Sequence, residues 1–265
     1  MDNLPDSVKN AIRDIKNYYN QSNNNFAFAY KDIYTGFTVT YNPDQHIFTA
    51  STIKAPTDIY VWEMASQGKI DLNEELTYTP KQYCKGSGNI QYEKMYTKYK
   101  TKELLRLSTV ISDNIAHNML MDNYGRKNML AFWKNLGTTA IFNANNNWVG
   151  INAHDALIYM SELYRFYTAN DEYGNQVMNN FLNATPKFIK GKNGYKVANK
   201  SGWNGSVIHD VSIIFADNPY IIVALSNTGN GNYTAYFNKA NDLAYKLHTE
   251  YWKYKMSLCN DIKQY

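Results

Sequence analysis

Segments with strand-like patterns lie only near the two ends of the chain, and this placement limits the possible folds more than any other feature. Aromatic and β-branched residues fill these segments, and turn-forming residues separate them. They are residues 26–30, 37–41, 196–200, 207–216 and 220–226. The chain between them, from about residue 49 to residue 167, carries apolar residues at helical spacing instead.

Such a chain is expected to form an α+β fold in which both ends contribute strands to one antiparallel sheet. Helices over 7–19 and 234–255 are expected to flank that sheet. We predict a single domain of 265 residues, with an α/β lobe of about 1–50 and 195–265 and an inserted all-helical lobe of about 51–194. A groove between the two lobes is the expected place for a functional site.

Charge, histidine and cysteine content exclude several kinds of partner. The net charge of +4 is small, and no other feature supports a nucleic-acid partner. The five histidines form no HxxxH or HExxH pattern, so no metal and no other cofactor is expected. Two cysteines, Cys84 and Cys259, leave either one disulfide or two free thiols. No run of 18 apolar residues occurs, so no membrane span is expected.

The first motif with chemical content is Ser51-Thr52-Ile53-Lys54, at the start of a predicted helix over 49–67. Residues three apart share one helix face, so the Lys54 amine can lie beside the Ser51 hydroxyl. If a neighbouring positive charge lowers the pKa of Lys54, its neutral amine can accept the serine proton. The spacing alone is common, and Ser66-Gln67-Gly68-Lys69 repeats it with a glycine that interrupts the helix.

Two further motifs follow in the chain. Ser112-Asp113-Asn114 lies between two apolar helices, where a tight turn can direct its first and last side chains into one cleft. Taken alone it fits a loop whose aspartate caps the next helix. Lys200-Ser201-Gly202 ends a predicted strand and offers a cation, a hydroxyl and edge N–H groups. Taken alone it fits a plain turn, but the three motifs in this order favour a catalytic cleft.

This set resembles the SxxK, SDN and K-[TS]-G motifs of class A β-lactamases and penicillin-binding proteins. The similarity covers most of the chain, including Gly86-Ser87-Gly88 before the second motif and His209-Asp210 after the third. It is closest to the class A-related serine hydrolases of Gram-positive bacteria. The resemblance implies a β-lactamase/transpeptidase-like fold.

The resemblance also implies catalytic roles for four residues. Ser51 would be the acylated nucleophile, and Lys54 would be its partner in proton transfer. Ser112 would pass a proton to the leaving nitrogen, and Lys200 would support the charge balance.

Four more residues would bind substrate. Asn114 would bind its amide side chain, and Ser201, with the lysine of the same motif, would bind its carboxylate. The backbone N–H groups of Trp203 and of the nucleophile would form the oxyanion hole. Gly202 would let the substrate lie against the strand edge.

One element of the class A pattern is missing. Class A β-lactamases carry, between the second and third motifs, a loop glutamate that activates the water of deacylation. The corresponding stretch here, residues 138–152, contains neither glutamate nor aspartate, and the nearest acid, Asp155, fits an ordinary position in the first turn of a helix. Loss of a general base typically costs ~10²–10⁴-fold in the step it serves, so acylation is expected to be easy and deacylation slow.

The sequence thus predicts a serine hydrolase that forms an acyl-enzyme with β-lactams or D-Ala-D-Ala-type peptides. Its expected partners are a small-molecule β-lactam or a peptidoglycan stem peptide, and it is expected to be a monomer. The alternatives are a penicillin-binding or sensor domain without turnover, and a glutaminase or esterase on the same fold. Residues 1–5 carry no signal-peptide pattern. An extracellular or cell-envelope location, after removal of an export signal, is expected from the function.

Overall fold

A computed structural model describes residues 3–21, 25–139, 147–228 and 233–262. Its strands are β1 (Phe26–Asp32), β2 (Thr38–Tyr41), β3 (Ile47–Phe48), β4 (Glu75–Thr77), β5 (Lys98–Lys100), β6 (Gly150–Ile151), β7 (Lys196–Asn204), β8 (Val207–Phe215) and β9 (Tyr220–Ser226). Its α-helices are α1 (Asp6–Asn20), α2 (Lys54–Ser66), α3 (Thr101–Val110), α4 (Asn114–Tyr124), α5 (Arg126–Asn135), α6 (Ala153–Ala169), α7 (Asp171–Leu182) and α8 (Tyr233–Ile262).

Strands from both ends of the chain form one five-stranded antiparallel sheet, in the order β2-β1-β9-β8-β7. The first and last thirds of the chain meet where β1 pairs with β9, from Phe26 opposite Ser226 to Asp32 opposite Tyr220. The α+β fold with a sheet built from both termini is therefore confirmed.

The sheet separates two apolar cores, because successive side chains of a strand point to opposite faces. On β1, Phe28 and Tyr30 pack with α1 and α8, whereas Ala27 and Ala29 belong to the core shared with the other helices. Every residue of the central strand β9 is buried. This explains its uninterrupted apolar sequence, since a strand covered on both faces need not alternate. The boundaries given above for the two lobes remain a prediction.

Several elements differ from the sequence-based expectation, and the short strands β4, β5 and β6 lie within the range predicted to be all-helical. The helix predicted over 49–67 is divided into a 3₁₀ turn, Ala50–Ile53, and α2. β7 extends past the predicted residue 200 because its pairing with β8 continues to Asn204 opposite Val207. Helix α7 was not predicted, since its amide-rich sequence buries only a few apolar side chains, such as Val177 and Phe181.

The structure also answers the question left open about the cysteines. Cys84 and Cys259 are both free thiols. Within the described ranges, no three His, Cys, Asp or Glu side chains group as metal ligands would. None of the helices in those same ranges combines the length and apolarity that a membrane crossing requires.

Candidate active site

The candidate nucleophile Ser51 lies in the 3₁₀ turn that joins β3 to α2. The turn begins at Ala50, whose φ of 43° is in the left-handed region that residues with a side chain rarely adopt. Thr49, just before it, is held to the residue that precedes β6 by a bond from its N–H to the Val149 carbonyl, 2.8 Å long. Such strain typically costs ~1–3 kcal/mol and is found where surrounding contacts fix a functional geometry.

Lys54, the first residue of α2, brings the first two motifs together. Its side chain is completely buried. Its Nζ lies 3.0 Å from Ser51 Oγ, 2.6 Å from the Ser112 carbonyl oxygen, 3.0 Å from Ser112 Oγ and 2.7 Å from Asn114 Oδ1. Two of these partners, the carbonyl and the amide oxygen, can only accept. A neutral amine can donate its two hydrogens to them and keep its lone pair for a hydroxyl.

The surroundings of Lys54 favour that neutral amine. Burial lowers its pKa well below the usual value, and the positive charge of Lys200 lowers it further. The carboxylates of Asp58 and Asp113 act in the opposite direction. The expected mechanism, a neighbouring cation, is therefore present, but loss of solvation is the larger cause.

The second motif forms the turn between α3 and α4. Ser112 has a φ of 58°, a second left-handed position. Asp113 caps α4, with Oδ1 accepting from the N–H groups of Ile115 and Ala116, both at 2.9 Å. The capping role and the cleft role predicted for this motif are thus both present, since the cap fixes the turn from which Ser112 and Asn114 reach Lys54.

Asp113 also anchors the Gly-Ser-Gly loop that precedes it in sequence. Its Oδ2 accepts from the N–H groups of Asn89, at 2.7 Å, and Ile90, at 2.9 Å. Gly88 packs against this carboxyl so closely that a Cβ at that position would overlap it. One buried carboxylate therefore holds four N–H groups and joins this loop to the start of α4.

The third motif lies within β7, at the edge of the sheet, and not at a strand end as predicted. Lys200 is fully buried, with its Nζ 3.1 Å from Ser112 Oγ and 3.0 Å from the Ser201 carbonyl oxygen. Burial lowers the pKa of Lys200 to about 8. Ser112 Oγ therefore lies between two buried amines, Lys54 on one side and Lys200 on the other.

Gly202 has a structural reason in addition to the one expected. A Cβ there would lie 2.9 Å from the backbone nitrogens of Ser51 and Thr52 and from the Thr49 carbonyl oxygen. The missing side chain lets β7 pack directly against the 3₁₀ turn that carries the candidate nucleophile, and the contact of substrate with this strand edge stays a prediction. The next residue, Trp203, is 62% exposed, whereas Ser201 is 4% exposed.

The open side of this cluster is a cavity of about 380 Å³. Its lining includes Ser51, Asn114 and three aromatic residues, of which the sequence identified one, Trp203, as functional, and that one through its backbone N–H. These three, here named the aromatic wall, are Phe48, Trp148 and Trp203. The Trp148 ring lies over the Lys54 amine, with its centre 5.1 Å from Nζ. The three residues of the aromatic wall are far apart in sequence, and only the fold brings them together.

No carboxylate belongs to the described lining of the cavity. Part of the stretch in which the glutamate was sought, residues 140–146, lies outside the described residues. Asp155 is buried in the first turn of α6 and accepts bonds from the Thr139 N–H at 2.9 Å and hydroxyl at 2.8 Å. His209 lies between the Phe48 carbonyl, 2.8 Å from Nε2, and the Ser226 N–H, 3.1 Å from Nδ1, so both of its ring nitrogens are used within the fold.

Comparison with known proteins agrees with this geometry. A family model described as "Beta-lactamase enzyme family" matches residues 8–250. A point mutant of PBP-A, solved as an acyl-enzyme complex with penicillin G, superposes with a TM-score of 0.81 at 20% identity, covering 92% of this chain and 97% of that one. A β-lactamase from Sphaerobacter thermophilus gives 0.76 at 17% identity, covering 92% and 96%. No curated protein sequence matches the chain.

We predict that Gly88→Ala destabilises the protein by releasing the Asp113 carboxylate from its four N–H donors. Gly194→Ala is the matched control, because Gly194 also has a positive φ, 73°, but has no atom within 4 Å of the Cβ position. Overpacking of a tight site costs ~1–3 kcal/mol. The free energy of unfolding, measured in urea, should therefore fall by about 2 kcal/mol more in Gly88→Ala than in the control. Equal losses would contradict this role of Gly88.

Proposed function

The chain belongs to the beta-lactamase enzyme family, and from this premise we propose that Ser51 forms a covalent acyl-enzyme with β-lactams or with peptides ending in D-Ala-D-Ala. The observation that carries the proposal is the buried Lys54 amine, held 3.0 Å from both Ser51 Oγ and Ser112 Oγ. A base beside the nucleophile and a hydroxyl beside the base are what an acyl transfer to serine requires.

Acylation can proceed through these groups with all protons accounted for. The neutral Lys54 amine takes the Ser51 proton while Oγ attacks the substrate carbonyl carbon. When the carbon–nitrogen bond breaks, Ser112 Oγ donates its proton to the leaving nitrogen and receives one from Lys54. Lys200, 3.1 Å from Ser112 Oγ, stabilises negative charge on that oxygen during the transfer.

Substrate binding uses the edge of the sheet. The backbone N–H groups of Ser51 and Trp203 are proposed to stabilise the negatively charged oxygen of the tetrahedral intermediate. The close packing at Gly202 supports this pair, because it keeps β7 against the nucleophile turn. Asn114 is proposed to bind the amide of the substrate side chain, and Ser201 with Lys200 its carboxylate.

Deacylation is proposed to be slow. The described cavity lining offers no carboxylate to activate water, and the Trp148 ring lies over the Lys54 amine. An acyl-enzyme that persists would suit a penicillin-binding or sensor role better than rapid hydrolysis of antibiotics. The aromatic wall further favours substrates whose acyl group carries an apolar or aromatic side chain, which can stack there. For stem peptides as substrate, the site of action would be outside the cell or in its envelope.

We expect benzylpenicillin to form a stable adduct that depends on Ser51. Intact mass, followed from seconds to hours, should show the adduct in the parent protein and none in Ser51→Ala. Ser66→Ala is the control, since Ser66 heads the same spacing with Lys69 but bonds to the Glu63 carbonyl oxygen instead. Penicillin taken up covalently by Ser51→Ala would show that the nucleophile is wrongly assigned. Hydrolysis of glutamine or a nitrophenyl ester, with no reaction toward penicillin, would favour a glutaminase or esterase.

Trp148→Glu is predicted to shorten the lifetime of that adduct. A carboxylate in place of the ring would supply a general base beside Lys54, and such a base is typically worth ~10²–10⁴-fold in rate. Trp148→Phe keeps an apolar cover and should lose the adduct at the parent rate. The loss is measured by mass spectrometry after excess penicillin is removed. If the glutamate and phenylalanine variants deacylate equally slowly, Trp148 does not occupy the place where water must be activated.

A further inference from the structure

Asp58 is a buried acid that the acylation steps above do not use. It lies in α2, completely shielded from solvent. Its Oδ1 accepts from Ser108 Oγ at 3.0 Å and its Oδ2 from Thr109 Oγ1 at 2.7 Å. Among the described residues, no cation lies within ion-pairing distance of this carboxyl.

Helix geometry places Asp58 beneath the catalytic amine. Residues four apart lie one above the other, and helical side chains lean toward the N-terminus of the helix. The Asp58 side chain is therefore directed toward the helix turn that begins at Lys54. Its two hydroxyl partners belong to the last turn of α3, which leads directly into Ser112. Asp58 thus contacts both elements that hold the amine.

The other charged groups around Lys54 differ from Asp58 in how they are satisfied. Asp113, from the α3–α4 turn, accepts four backbone N–H groups. Asp210, from β8, accepts the N–H groups of Phe188 and Ile189, the Asn199 amide and the Ser212 hydroxyl.

Three further titratable groups face the amine, namely Lys200 of β7, Cys84 in the cavity lining and His117 of α4. Asp58 has two neutral hydroxyls only, so of these buried acids it is the one whose charge depends most on nearby amines.

We propose that Asp58 is a positioning residue for the acyl transfer, whose buried carboxyl sets how much of Lys54 is present as the neutral amine. The inference rests on the proposed function for its consequence in catalysis, but not for its effect on Lys54. Burial raises the pKa of Asp58 to about 7, while its two hydroxyl donors and the two lysines act against that rise. The carboxyl therefore changes charge close to neutral pH.

The sign of the effect follows from Coulomb attraction. The ionised Asp58 carboxylate stabilises the Lys54 ammonium and so raises the pKa of that amine, against the larger effect of burial. Removing this negative charge must lower the pKa of Lys54 further. The neutral amine then persists to lower pH, and the acid limb of any reaction that needs it moves to lower pH as well.

The test is Asp58→Asn, which keeps size and an acceptor oxygen but cannot ionise. In protein labelled at its lysines, NMR titration of the side-chain nitrogen, assigned with Lys54→Met, gives the Lys54 pKa without substrate. We expect it to fall by at least ~0.5 unit, about a threefold change in the protonation equilibrium. Thr109→Ser is the control, since it alters packing beside Asp58 but keeps the hydroxyl donor, and it should titrate like the parent.

A Lys54 pKa equal in Asp58→Asn and the parent would overturn the inference, as would an equal shift in Thr109→Ser. The acid limb of benzylpenicillin acylation, measured on the same proteins, should move in the same direction by the same amount. A shifted Lys54 pKa without any acylation would instead refute the proposed function and leave the role of Asp58 intact. If Asp58→Asn does not fold, Asp58→Ser, which also lacks the charge and can bond to both hydroxyls, replaces it.

Discussion

The whole site depends on a lysine amine held out of water. Moving an ammonium into an apolar interior costs several kcal/mol, so burial of Lys54 favours its neutral form unless other groups compensate. The structure offers it oxygen acceptors at four points but, among the described residues, no ion pair. Hydrogen bonds fix its position, and the missing counter-ion favours the neutral amine, which can accept a proton. Each other part of the cleft can be understood as a means of holding this one nitrogen against the Ser51 hydroxyl.

Two residues with left-handed backbone conformation and one close contact of a strand place these side chains around Lys54. Ala50 and Ser112 each adopt a φ that their side chains disfavour, and each directs a hydroxyl-bearing turn toward Lys54. Hydrogen bonds to neighbouring segments hold the strained turns in place: Thr49 bonds to the Val149 carbonyl before β6, and Asp113 accepts four N–H groups. At Gly202 the edge strand meets the nucleophile turn without an intervening side chain. The sheet, built from both ends of the chain, thereby faces the helices that carry the first two motifs.

The sequence predicted what depends on spacing along the chain. Ser51 and Lys54 are three residues apart, Asp113 precedes a helix, and the strands at the two ends could satisfy their edges only by pairing with one another. It did not predict what depends on proximity in space. Trp148 is far from the three motifs in sequence, and only the fold places its ring beside Lys54. Asp58 lies one helix turn after Lys54, but its burial and its two hydroxyl partners come from the packing of α3 against α2. Helix α7 was not predicted because its amide-rich sequence lacks a broad apolar stripe. Strand β7 was predicted too short because Ser201 and Gly202 resemble a turn.

The proposed reaction has two steps, acylation of Ser51 and hydrolysis of the acyl-enzyme, and the groups around Lys54 suit the first step better than the second. Acylation needs a base that faces the serine, a hydroxyl that returns the proton, and a cation beside it, and Lys54, Ser112 and Lys200 meet within 3.1 Å contacts. Hydrolysis of the acyl-enzyme needs in addition a water molecule with a base on the opposite side of the ester. The described lining of the cleft holds no carboxylate for this role, and the Trp148 ring lies 5.1 Å from the Lys54 amine. Our proposal of slow deacylation follows from this pair of features, since a water molecule that approaches the ester would have to pass the ring to reach the amine.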